Sequence, residues 1–95
     1  MRLKKEITEF IRQYSEENFF NAKVYLFGSR TDDNKKGGDI DILILTDEKL
    51  RFSDLSKMRI NFRKLFGEQK IDLVNFTYTE TDPFKDIALH QAIEL

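Results

Sequence analysis

Two carboxylates and a glycine turn carry the chemistry that this sequence offers. Asp39 and Asp41 stand two residues apart in Gly38-Asp39-Ile40-Asp41-Ile42-Leu43-Ile44-Leu45, an apolar run that reads as a strand. Side chains two apart on a strand leave the same face, with α-carbons about 6.6 Å apart. Asp is disfavoured in strands, and two like charges 4 Å apart cost about 4 kcal/mol at an effective dielectric near 20. A divalent cation removes that cost, and hard oxygen ligands suit Mg²⁺ or Mn²⁺. Upstream, Val24-Tyr25-Leu26-Phe27 is a second apolar strand, followed directly by Gly28-Ser29-Arg30. A Gly-Ser turn there presents backbone N–H groups and a hydroxyl to a phosphate with no Cβ in the way. By itself an Asp-x-Asp strand is more often a solvated face; the glycine turn beside it shifts the balance toward a site.

The elements that must hold these residues follow from periodicity. Leu3, Ile7, Phe10, Ile11 and Tyr14 recur at helical spacing, which predicts an amphipathic helix over about residues 2–17 that ends near Asn18. Phe19 and Phe20 are expected to plug the core. The first strand spans about 23–27. A polar loop, Thr31-Asp32-Asp33-Asn34-Lys35-Lys36, leads to Gly37-Gly38, where the backbone can turn into the acidic strand. Ile40, Ile42 and Ile44 should point away from the acids into the core. Ser53 is the expected N-cap of a helix through about Phe66, with Leu55, Met58, Phe62, Leu65 and Phe66 on its buried face and Gly67 as its C-terminal cap. Arg51, Lys57, Arg59, Arg63 and Lys64 give that helix a basic side. A third strand, Lys70 to Phe76, again carries an acid near its start, Asp72. Asp82-Pro83 opens a last helix, with Asp as cap and Pro at the first helical position, and Phe84, Ile87, Ala88, Gln91 and Ala92 along one side. The order helix, strand, strand, helix, strand, helix describes an α/β (α+β) domain, a small mixed sheet flanked by helices.

Composition narrows the function classes. The 95 residues suit a single domain, 1–95, and 40% hydrophobic with 35% charged residues is ordinary for a soluble globular protein. With 16 basic against 17 acidic residues the formal charge is −1, so direct nucleic-acid binding is not expected. Cysteine is absent, which excludes disulfides and thiolate metal sites and is compatible with a cytoplasmic setting. No run reaches the 18 or so apolar residues of a membrane span, and no signal peptide is read at the start. His90, the only histidine, is expected at the surface or in packing, which disfavours a Ser-His-Asp hydrolase. No Gly-Lys-Ser or Gly-Lys-Thr follows Gly28, so the turn is not a Walker A loop.

Taken together, Leu26-Phe27-Gly28-Ser29-Arg30, Gly38-Asp39-Ile40-Asp41-Ile42 and Ile71-Asp72-Leu73 resemble the DNA polymerase beta-like nucleotidyltransferase superfamily. Within it the chain is similar to the minimal MNT type, the antitoxin half of HEPN/MNT toxin–antitoxin pairs. The loop departs from the common pattern: Thr31 and Asp33 stand where many members carry Ala and Gly, and Gly38 where many carry Ser. The resemblance implies a single minimal nucleotidyltransferase domain over residues 1–95. It also implies Mg²⁺- or Mn²⁺-dependent transfer of AMP from ATP to a hydroxyl of a HEPN-type helical partner protein, with oligomerisation open. Asp39, Asp41 and Asp72 would be the catalytic and metal-binding acids, and Gly28, Ser29 and Arg30 would bind the nucleotide phosphates. The Phe84-to-Leu95 segment, read as one helix, is a candidate docking surface. The alternative is a non-catalytic antitoxin that neutralises its partner by forming a complex.

Overall fold

The structure, a computed structural model, describes residues 3–31, 38–67 and 69–95, and Ser29 by its backbone alone. Most of the loop between the first two strands, 32–37, lies outside the described residues, as does the expected turn at Gly37. The elements are α1 (Lys5–Asn18), β1 (Lys23–Phe27), a single 3₁₀ turn (Gly28–Thr31), β2 (Ile40–Thr46), α2 (Phe52–Phe66), β3 (Ile71–Thr77), α3 (Pro83–His90) and β4 (Ile93–Glu94). They form a mixed four-stranded sheet in the order β3-β2-β1-β4, with β2 and β3 parallel and the other pairs antiparallel.

The central strand β2 is buried on both sides, which is why it reads as an almost unbroken apolar run. On one face Ile40, Ile42 and Ile44 join Ile7, Ile11, Met58, Phe62 and Leu73 in the larger core, under α1 and α2. On the other face Leu43 and Leu45 pack with Phe76 and Ala88 under α3. The acids occupy the end of this second face that α3 leaves open.

Several boundaries differ from the sequence reading. Ser53 does not cap α2; the cap is Arg51. Its backbone N–H donates to the Asp54 carboxylate at 3.0 Å, and its guanidinium pairs with the same group at 3.3 Å. An acid at the third helical position satisfies an orphan N–H as a capping box does, so the helix starts before Ser53. Phe19 is buried, but Phe20 points outward at 85% exposure, because the chain bends at Asn21, whose φ is +51°. Leu65 also lies outside the core, at 66% exposure. The chain after His90 does not continue as helix. Ile93 and Glu94 pair with Leu26 and Tyr25, and the Leu95 N–H donates to the Val24 carbonyl at 2.9 Å. Three residues of pairing are too few to leave a periodicity in sequence, yet they cover the free edge of β1. Asp82 caps α3 as read, accepting from the N–H groups of Phe84 and Lys85.

Two buried polar side chains lock the C-terminal end of β3 and the chain just beyond it. Asn75 donates to the Ile44 carbonyl and to Thr46 Oγ1, both at 3.0 Å, and accepts from the Leu50 N–H at 2.8 Å. Lys85, 7% exposed, donates from Nζ to the carbonyls of Thr77, Tyr78 and Glu80 at 2.7–3.0 Å. Removing one partner of such a buried network leaves the others unsatisfied. Asn75→Ala is therefore expected to lower the urea midpoint by the equivalent of about 2 kcal/mol or more, with an unchanged slope.

Candidate active site

The site is built by register. In the parallel pairing of β2 with β3, Asp41 stands opposite Asp72; in the antiparallel pairing of β1 with β2, Phe27 stands opposite Asp41. One row across the sheet thus reads Phe27, Asp41, Asp72, with Tyr25, Leu43 and Val74 as the next row. Asp72 is some thirty residues from Asp41 in sequence, and the α2 crossover between parallel strands is what brings them side by side.

The two carboxylates are within hydrogen-bonding reach of each other. Asp41 is half-buried and Asp72 exposed. The Asp41 carboxyl is held above the ordinary range, chiefly by burial, then by the charge of Asp72, then by that of Asp39, with the hydrogen bond to Asp72 acting in the same sense. Asp39 sits one residue before β2, exposed, and contributes through its charge. Among the described residues, no three His, Cys, Asp or Glu side chains converge as one ion-binding cluster. The structure brings Asp41 and Asp72 together and leaves Asp39 at the mouth.

Gly28 closes the other side of Asp41. Its φ is +78°, a conformation that side chains with a Cβ rarely adopt, and a Cβ there would overlap Oδ2 of Asp41 and lie 3.2 Å from its Cγ. The turn is fastened in two places. Thr31 Oγ1 donates to the Gly28 carbonyl at 2.8 Å, and Arg30 Nη2 donates to the Gly38 carbonyl at 3.1 Å. Arg30 thereby ties the turn to the approach of the acidic strand. Gly38, at φ +99°, supplies the second bend. The expected phosphate loop and the acid pair are therefore in contact.

An aromatic wall flanks the row, and the sequence reading assigned it no place at the site. The Phe27 ring meets Phe84 of α3 edge-on, centroids 5.8 Å apart, and Phe84 also lies 6.3 Å from Phe76 while staying 48% exposed. The signal available in sequence was Phe27 immediately before the glycine turn; its partner on α3 depends on tertiary packing.

A family model described as polymerase beta, nucleotidyltransferase matches residues 5–95. The chain belongs to this nucleotidyltransferase family. A search of curated proteins finds no significant sequence match. Among solved structures, a mutant form of the toxin–antitoxin MntA–HpeT superposes with TM-score 0.72 at 20% identity, over 97% of this chain and 71% of that one. A tri-AMPylated Shewanella oneidensis HEPN toxin in complex with MNT antitoxin gives TM-score 0.67 at 20% identity, over 90% and 66%. A toxin–antitoxin with AMP-PNP gives 0.72 at 19%, over 90% and 69%. At these identities the likeness establishes a shared nucleotidyltransferase fold.

The raised Asp41 proton affinity has a definite consequence for the metal-free nucleotidyltransferase domain. Folded protein holds this proton at pH values where unfolded chain, with an ordinary Asp, has released it. The stabilisation is full below the unfolded value and is lost as pH rises through the raised one. In chelator, thermal melts should therefore show stability falling over that window, and Asp41→Asn should flatten the fall.

Proposed function

We propose that the protein is a nucleotidyltransferase that moves AMP from ATP to a hydroxyl of a HEPN-type partner protein, and so acts as an antitoxin in the cytoplasm. The observation that carries this reading is the contact of the Gly28 turn with an Asp41–Asp72 pair set opposite each other by strand register. The family match supports the reaction class. The AMPylated HEPN toxin and the AMP-PNP complex among the neighbours support the adenylyl group and the acceptor.

Hard carboxylate oxygens beside a glycine turn fit Mg²⁺ or Mn²⁺. Asp41 and Asp72 would hold the ion, with Asp39 completing its ligands from the mouth, and the ion when bound would offset the negative charge of carboxylates and phosphates together. In the transfer itself, the acceptor oxygen bonds to the α-phosphorus, the bond from that phosphorus to the α,β-bridging oxygen breaks, and pyrophosphate leaves. Gly28 and Ser29 would receive the phosphates through backbone N–H groups; a side chain at Gly28 would collide with Asp41. Arg30 holds that turn to Gly38 and so fixes its distance from the acids. Asp72, exposed on the edge strand, would accept the hydroxyl proton on a carboxylate oxygen. Most of the acceleration in such a site is positioning and charge stabilisation.

The test uses ATP labelled at the α-phosphate, Mg²⁺ and a HEPN-type partner. Label should pass to the partner, and Asp41→Asn or Asp72→Asn should cut transfer by about 100-fold or more. Absence of label, with the Asp39→Ala/Asp41→Ala double variant still neutralising the partner, would instead make the protein a binding module.

A further inference from the structure

Along the open edge of the sheet runs a groove of about 1300 Å³ between α2 and the start of β3. Its wall on α2 is the stripe Ser56, Arg59, Ile60, Arg63, Lys64 and Gly67, positions three and four apart that share one helix side. Its other wall is Gln69, Lys70 and Ile71, and it ends on Asp72. Among the described residues the lining charges are four cations, Arg59, Arg63, Lys64 and Lys70, against the single carboxylate of Asp72. None of these four forms a salt bridge with a described residue, whereas Lys5, Lys49 and Arg51 elsewhere on the surface are paired. Arg59 is steadied over the Phe52 ring, 6.0 Å from its centroid, and Ile60 is 55% exposed on the same stripe.

In a chain of net charge −1, this is, among the described residues, a local excess of positive charge, and it leads to one member of the acid pair. We propose that the groove is the docking track for an acidic, partly apolar segment of the acceptor protein, whose hydroxyl it delivers to Asp72. The proposal rests on the protein-acceptor reading above and adds the chemistry by which the acceptor is chosen. Complementary charge in such a track sets the encounter rate and excludes basic partners. A flexible peptide can space its carboxylates to meet the arginines and set a neutral residue at Asp72. A nucleic-acid strand carries a charge at every phosphate and would meet Asp72 with repulsion. Among the described residues β3 pairs on one side only, which leaves its other side for backbone pairing with an extended segment.

The experiment measures anisotropy of three labelled probes with the whole chain, without nucleotide: a short peptide of alternating Glu and Ser with interspersed Leu, its Lys counterpart, and a single-stranded RNA. The acidic peptide should bind, the basic one should not, and affinity should fall by about tenfold or more as salt screens the contact. Arg63→Glu/Lys64→Glu should weaken the acidic peptide by about tenfold or more, while Lys57→Glu, on α2 but outside the groove, should not; circular dichroism and Arg63→Gln/Lys64→Gln guard against loss of fold. Equal effects of the groove and control variants, no binding of the acidic peptide, or tighter binding of the RNA would each overturn the proposal. Because binding is read without transfer, Asp41→Asn should leave it intact, so failure of the groove and failure of the catalytic reading give different results.

Discussion

Everything at this site depends on holding two carboxylates next to each other. Asp41 and Asp72 repel, and nothing local to either would place them in contact. The sheet does so by pairing β2 and β3 in parallel at a register that sets one acid opposite the other. A slip of one residue would turn every side chain of β3 to the wrong face. The register therefore has to be over-determined, and the core does that. Leu73 is fixed in the large core on one face, Phe76 in the smaller core on the other, and Asn75 bonds back to β2 and to the start of the α2 segment. The stability given up at the acid pair is supplied by burial a few residues further along the same strands.

The same economy explains Gly28. A turn whose backbone packs against a carboxylate has no room for a Cβ, and its positive φ is available to glycine at little cost. Arg30 and Thr31 then fasten the turn from both ends. The glycine turn adjoins Asp41, Asp41 stands opposite Asp72, and Asp72 lies on β3 at the sheet edge, where the groove ends.

Much of this was legible in the sequence because it is written in local patterns. The alternation in β2 placed its isoleucines opposite its acids, the Asp-Pro pair marked the start of α3, and the alternation of Asp72 with Val74 and Phe76 placed that acid on the face of Asp41. The parts that were not legible rest on contacts between distant residues. Asp54 reaching back to Arg51 moved the start of α2, and a two-residue strand ended the last helix early. The left-handed turn at Asn21 exposed Phe20, which neither its apolar character nor its neighbour Phe19 foretold. The groove was visible only as a basic helix side; that it runs along the start of β3 as far as Asp72 needed the crossover to be drawn in space.

The central claim is that Asp41 and Asp72 act as one coupled site, and a double-mutant cycle measures it most directly. Unfolding free energies would be compared for the wild type, Asp41→Asn, Asp72→Asn and the double variant, in chelator and at mildly alkaline pH. Either single substitution removes the same repulsion, so the double variant should gain clearly less than the sum of the two. Additivity within about 0.3–0.5 kcal/mol would mean that the two side chains do not interact, and the shared site would have to be abandoned.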